Sequence, residues 1–221
     1  MIELLSLHIP KTAGMTFLDI LQQQYGSDAC LHVRHRTFKR WKSMGIDLLD
    51  KVEPETRVVH GHVRFRQCRK LYRRDRPPVI AWLRNPIDRV VSRFYFAKWQ
   101  MGRNPNHPQI HRKDEDLLTF ARTKPQINLM YRYLDGIDLD DLFFFGFQET
   151  FEEDLAILAR KLNWKPYTLP RINDNRPYRS EQVQPDPKVL EEINHLNDLD
   201  MAIYERALRS KTGREFQISG A

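Results

Sequence analysis

Apolar residues collect into four short runs, Leu4 to Ile9, Arg57 to His60, Val79 to Leu83 and Leu142 to Phe147, each bounded by polar residues. Short runs without polar alternation are the pattern of strands covered on both faces, as in a parallel sheet. After each run the pattern turns polar. Helical spacing of apolar positions then covers Thr16 to Gln24, Ile87 to Trp99 and Glu149 to Leu162. In the second of these, Val90, Val91, Phe94 and Tyr95 fall on one side. Strand followed by helix, repeated along a chain, predicts an α/β fold with a central parallel β-sheet flanked by helices.

Asn85-Pro86 reads as a helix start, with asparagine as N-cap and proline at the first helical position. A loop rich in Gly, Asn and Pro covers residues 100 to 108, and two shorter helices are expected over Asp116 to Arg122 and Gln126 to Leu134. An irregular stretch from Tyr167 to Pro187 precedes one long terminal helix from Pro187 to about Arg209. No compositional break marks a boundary, and 221 residues suit a single domain spanning 1–221.

The net charge of +7 points to an anionic partner: nucleic acid, membrane surface, nucleotide or acidic glycan. Arg57, Arg64, Arg66, Arg69, Lys70, Arg73, Arg74 and Arg76 fall in one stretch, which reads equally as a solvated surface loop or as an anion-binding surface. The two cysteines, Cys30 and Cys68, are too few for a disulfide framework and lack CxxC spacing, so free thiols in a reducing compartment are expected. No apolar stretch approaches ~18 residues, and the N-terminus lacks the layout of a secretory signal. A soluble, cytoplasmic protein is the expectation.

In an open parallel sheet, ligands bind outside the carboxyl ends of the strands. The first run ends in Lys11-Thr12-Ala13-Gly14-Met15-Thr16, the second in His60-Gly61-His62 and the third in Arg84-Asn85-Pro86. A glycine-containing turn feeding a helix presents backbone N–H groups and a partial positive charge, to which Lys11 adds a full one. The P-loop of nucleoside triphosphatases needs G-x-x-x-x-G-K-[ST], whereas here Lys11-Thr12 precedes Gly14 and no upstream glycine exists. Arg84 and Ser92, eight residues apart, can grip a phosphate, or Arg84 can pair with Asp88 while Ser92 packs. His60 could orient His62, bind substrate or be a buried structural residue. A metal site is not expected, because no third His or Cys is spaced to join His60 and His62.

Three of these segments carry a family resemblance. "HIPKTAGMTF" at 8–17 resembles the 5′-phosphosulfate loop of sulfotransferases that use 3′-phosphoadenosine 5′-phosphosulfate (PAPS). "LRNPIDRVVSRFYF" at 83–96 resembles their 3′-phosphate segment, and "VVHGHVRF" at 58–65 is similar to the histidine motif of the heparan sulfate and uronyl 2-O-sulfotransferases. Weaker echoes follow in "INLMYRYLDG" at 127–136, "FGFQETFEEDLAIL" at 145–158 and "LNDLDMAIYERAL" at 196–208.

The resemblance implies a P-loop-like sulfotransferase fold and transfer of a sulfo group from PAPS to a carbohydrate hydroxyl, leaving 3′,5′-adenosine bisphosphate (PAP), with no metal. His62 would be the general base, His60 a secondary site, and Lys11 with the Thr12, Ala13, Gly14, Met15 and Thr16 amides the stabiliser of the leaving phosphate. Arg84 and Ser92 would hold the 3′-phosphate, and Asn173, Arg176, Arg179 and Ser180 fall in a segment that would cover the nucleotide. An acidic acceptor would suit the Arg64 to Arg76 run. The family usually has serine or threonine where Met15 stands. Its Golgi members carry a membrane anchor, so a soluble bacterial version is implied. A nucleotide-dependent phosphotransferase using Mg²⁺ and a nucleic-acid-binding module using the arginine run are the alternatives.

Overall fold

The computed structural model describes residues 1–169 and 185–218, the last seven of these by backbone alone. The described residues form two compact units, residues 1–83 with 132–169 and residues 84–131 with 185–218.

The first unit is built on a fully parallel five-stranded sheet: β1 (Leu4–Leu7), β2 (Cys30–Val33), β3 (Val58–Gly61), β4 (Val79–Leu83) and β5 (Phe144–Phe147), in the order β2-β3-β1-β4-β5. Four of the strands coincide with the apolar runs. The fifth, β2, is a four-residue edge strand that the pattern does not reveal. Its sequence, CLHV, is short and interrupted by a histidine, and pairing with β3 rather than its own hydropathy makes it a strand.

Helix α1 (Gly14–Tyr25) connects β1 to β2 in one direction across the sheet, and α3 (Arg69–Asp75) connects β3 to β4 in the other. Right-handed crossovers place two such helices on opposite faces. On the α1 face, side chains of equal parity align through the register Leu4↔Val58 and Cys30↔Val58. They join Phe17, Ile20 and Leu21 of α1 and Leu155 and Leu158 of α7 (Phe151–Lys161) in one buried cluster, completed by Ile80, Trp82 and Phe144. Helix α2 (His35–Ser43) has no buried residue and packs at the periphery.

One expectation changes here. The basic run is not a loop: it contains a four-residue 3₁₀ turn, Phe65–Cys68, followed by α3. Its apolar anchors are the buried Phe65, Cys68 and Leu71, too few for a periodicity signal among so many arginines. Both cysteines are free and buried, and burial pushes the Cys30 thiol up to about 11.

The second unit is helical. Helix α4 (Pro86–Arg103) starts where Asn85 and Pro86 foretold it, with the Asn85 side chain accepting from Ile87 N at 3.0 Å and Asp88 N at 3.2 Å. Val90, Phe94, Ala97 and Met101 bury one face of α4 against α5 (Leu117–Ala121) and Ile193 of α8 (Pro187–Leu196). The single terminal helix is in fact two, because Asn197 separates α8 from α9 (Asp198–Ile218). Asn197 is fully buried and its amide is drawn inward, donating to Ile193 O while its Oδ1 accepts from Asn128 N. That side chain gives the backbone an alternative to the helical ladder. Helix α6 (Leu129–Leu134) follows Asn128. No described helix is long and apolar enough to cross a membrane.

Candidate functional site

The turn from β1 to α1 stands at the strand whose crossover runs toward β2, beside β4 whose chain runs toward β5, so it borders the point where the connections reverse direction. Lys11 (φ 72°) and Ala13 (φ 62°) both adopt the left-handed conformation, which costs a side-chain-bearing residue roughly 1–2 kcal/mol each. Between them Thr12 is buried, its Oγ1 donating to Ile9 O at 2.8 Å and closing the turn. The Thr12 hydroxyl hydrogen is thus committed inward.

Ala13 is the N-cap of α1 and offers no side-chain cap, and the first helical turn contains no acidic residue. The positive end of the helix dipole is therefore not neutralised by its own cap or first turn. Turns with left-handed residues direct successive N–H groups into one concavity, the arrangement known as an anion nest. Met15 points to solvent and Thr16 is half-buried. What position 15 contributes to an anion is its backbone.

Gly14 is required for a different reason. A Cβ there would lie 2.0 Å from the His8 imidazole, so only glycine lets that ring lie against the start of the helix. His8 is one of four histidines in a row. Its ring stacks on His62 at 4.2 Å between centroids and on His60 at 5.0 Å, and His60 meets His32 of β2 at 5.8 Å. Strand register produces the row: Ser6 and His32 are the cross-strand neighbours of His60. Gly61 permits it, since a Cβ there would strike Val33 O, and His62 N donates to that same oxygen at 2.8 Å.

Burial disfavours the charged forms of His8, His32 and His60. His60, fully enclosed, is pushed down to about 3 by desolvation first and by His32 and His62 second, with only the Gly14 backbone favouring its charged form. Its Nδ1 lies 2.9 Å from Ser6 Oγ, while Nε2 makes no hydrogen bond with a described residue. His8 is held well below its ordinary value by burial, by the neighbouring histidines and by Lys11. His32 is lowered by burial and by Arg34.

His62, half-buried like His32, stands just beyond the carboxyl end of β3. Its Nδ1 is 2.9 Å from the His8 carbonyl oxygen, an acceptor only, so Nδ1 carries the hydrogen and the lone pair of the neutral ring is on Nε2. A base with a fixed tautomer is what proton abstraction needs. The structure thus brings Lys11, Thr12, Ala13, Gly14, Met15, Thr16, His60 and His62 onto adjoining strand ends of one unit, and adds His8, His32 and Ser6. The rings are stacked rather than converging on a point, and no described group of three or more His, Cys, Asp or Glu residues is placed to hold a metal ion. Sequence reasoning missed His8 and His32. A signal existed: Ser6 and His8, like His60 and His62, are polar residues at the same parity in two neighbouring apolar runs.

In the second unit, Arg84 precedes the Asn85 cap and is half-buried, and Ser92 is buried on α4. The unit also contains a buried charge that the sequence did not single out. Arg89, fully buried, donates to Gln126 O at 2.7 Å and Asn197 Oδ1 at 3.3 Å and lies 3.7 Å from Asp200. Asp200 in turn accepts from Met130 N at 3.0 Å and Tyr131 N at 2.8 Å. Asn173, Arg176, Arg179 and Ser180 lie outside the described residues.

No family model and no curated protein sequence matches the chain. Among solved structures, a sulfotransferase from Alicyclobacillus acidocaldarius matches with a TM-score of 0.51 at 16% identity, over 95% of this chain and 96% of that one. Mouse sulfotransferase SULT7A1 complexed with PAP matches with a TM-score of 0.49 at 13% identity, over 88% of this chain and 62% of that one, so this chain spans less than two thirds of its length. The likeness to the bacterial structure is one of fold, and it places the α/β architecture among those of sulfotransferases.

Proposed function

We propose that this protein is a PAPS-dependent O-sulfotransferase that acts on a hydroxyl group of a carbohydrate. The observation that carries the reading is the pairing, on adjacent strand ends, of an uncapped helix start with two left-handed turn residues and a histidine whose tautomer is fixed by His8 O. One feature takes an oxyanion; the other takes a proton.

PAPS fits the first feature: a 5′-phosphosulfate is an oxyanion, and the turn offers backbone donors, a helix dipole with no acidic residue in its first turn, and Lys11. When bound, it supplies an activated sulfo group and a phosphate leaving group. His62 Nε2 takes the proton of the acceptor hydroxyl, whose oxygen forms the new bond to sulfur as the bond from sulfur to the phosphate oxygen breaks. Lys11 and the backbone N–H groups from Thr12 to Thr16 stabilise the negative charge that gathers on that leaving oxygen. Balanced, the products are the sulfate ester, PAP and a proton held by His62. In the second unit Arg84 and Ser92 are assigned to the 3′-phosphate, and Asn173, Arg176, Arg179 and Ser180 remain candidates for the nucleotide on the family resemblance alone. His60 supports the row rather than touching substrate. We assign the whole chain to a single functional domain.

Calorimetric titration with PAP in the absence of divalent metal tests this. Binding in the micromolar range is expected, weakened roughly tenfold or more by Lys11→Ala and by Arg84→Ala. His62→Ala should keep PAP affinity and lose about 10²–10⁴-fold in turnover. A protein indifferent to PAP that binds a nucleoside triphosphate with Mg²⁺ would be a phosphotransferase instead.

A further inference from the structure

Of the eight basic residues from Arg57 to Arg76, seven divide into two sets. Arg57 pairs with Glu3 at 2.6 Å, Arg66 with Asp135 at 2.9 Å, Lys70 with Asp47 at 2.9 Å and Arg74 with Asp75 at 2.7 Å. Arg69, Arg73 and Arg76 have no carboxylate partner among the described residues. Their spacing of four and three puts them on one side of α3 and its C-cap. All three are exposed and line a cavity of about 370 Å³, with Phe65, Tyr72, Gly136, Ile137 and Asp141 completing its wall. Three unpaired cations bordering one concavity repel one another unless an anion joins them.

The remaining walls narrow the class of that anion. Tyr72 is a fixed platform, met edge-on by Phe65 at 5.1 Å between centroids and covered by the Arg76 guanidinium at 5.3 Å. Asp141, exposed at the rim, is an acceptor and repels a phosphate or sulfate but receives a hydroxyl. A ligand that carries fixed anionic groups and hydroxyl donors satisfies guanidinium and carboxylate together. A sulfated or carboxylated saccharide has both. A bare polyphosphate has only the first.

Position adds to this. Phe65 stands three residues beyond His62 at the carboxyl end of β3, whereas Arg76 and Asp141 precede the amino ends of β4 and β5. The cavity thus runs along α3 away from the chemical end of the sheet. We propose that it is a second binding site, which holds the anionic groups of an acidic oligosaccharide acceptor away from the hydroxyl presented to His62. The proposal rests on the sulfotransferase reading for its acceptor but not for the binding itself.

The test is direct binding of a heparin-derived hexasaccharide to the intact protein by calorimetry, beside its fully desulfated, N-acetylated counterpart and a single-stranded oligothymidylate of matched charge. The sulfated hexasaccharide should bind at least about tenfold more tightly than the other two, and the Arg69→Ala/Arg73→Ala/Arg76→Ala variant should lose that advantage, while Lys70→Ala, which removes a paired cation, keeps it. PAP affinity should be the same in all variants. In turnover with a sulfated acceptor the triple variant should raise KM and leave kcat, because the lost contacts are uniform binding. Equal affinity for the hexasaccharide in wild type and triple variant overturns the site. Equal affinity for oligothymidylate overturns its saccharide class. Failure of the wild type to bind PAP, with saccharide binding intact, overturns the sulfotransferase reading and leaves the site standing.

Discussion

Two of the polar clusters buried among the described residues are built on opposite principles. In the helical unit, Arg89 and Asp200 are fully enclosed yet charged, with the carboxylate receiving two backbone N–H groups from α6 and the guanidinium reaching Gln126 and Asn197. In the sheet unit, His8 and His60 are enclosed and burial disfavours their charged forms, with Nδ1 of His8 and Nε2 of His60 making no hydrogen bond to a described residue. The first cluster spends its hydrogen bonds on fixing where chain segments go: it ends α8 at Asn197 and seats α6. The second keeps proton-binding capacity next to an anion cradle and holds one ring, His62, in a single tautomer. Polar burial that locks a backbone is architecture, whereas titratable rings with depressed basicity at a strand end, beside an anion cradle, belong to chemistry.

The contrast breaks first at Arg89. Arg89→Met leaves the Asp200 carboxylate buried without its cation, and urea denaturation should show a loss of about 3–5 kcal/mol. Adding Asp200→Leu should recover part of that loss, the remainder being the N–H groups of Met130 and Tyr131 left without an acceptor. A loss of under about 1 kcal/mol from Arg89→Met would mean that the cluster does not hold the unit together.

Gly14→Ala sharpens the comparison from the other side. At a helical position the substitution ordinarily stabilises by up to about 1 kcal/mol. Here the new methyl must displace the His8 ring, so a destabilisation of roughly 1–3 kcal/mol is expected. Because His8 stacks on His62 and its carbonyl fixes the His62 tautomer, turnover should fall further than PAP affinity does. A more stable variant with unchanged turnover would show that the His8 ring moves aside without consequence.

Much of this was legible in the sequence, and the gaps have causes. Strands β1, β3, β4 and β5 and the N-cap of α4 were visible because hydropathy and capping chemistry there point the same way. Edge strand β2 and helix α3 were not: one is defined by its neighbour, the other is held by three buried side chains among arginines. Lys11, Gly14, His60 and His62 were found through strand-end motifs. His8 and His32 needed register, a long-range property that a single chain does not state. Likewise, Arg69, Arg73 and Arg76 became distinct from the run around them only when Glu3, Asp135, Asp47 and Asp75 proved to occupy Arg57, Arg66, Lys70 and Arg74.

The smallest effect discriminates most finely, because it titrates one cluster and spares the other. His60 has an ordinary value of 6.5 and is pushed down to about 3 in the folded protein, and His8 and His32 move the same way. Between those limits the unfolded chain binds protons that the folded chain refuses, so stability contributed by these neutral rings is complete above about pH 6.5 and is lost as pH falls toward 3. Each proton refused steepens the decline by about 1.4 kcal/mol per pH unit. His60→Gln keeps a polar side chain of similar size beside Ser6 and cannot be protonated in this range. Its stability at pH 7 should be somewhat below wild type, but from pH 6 to pH 4 its decline should be shallower by up to one proton's slope, so the two curves converge or cross on acidification. Identical slopes for His60→Gln and wild type would mean that His60 takes up its proton in the folded state, and the row would then be a charged cluster rather than a neutral one.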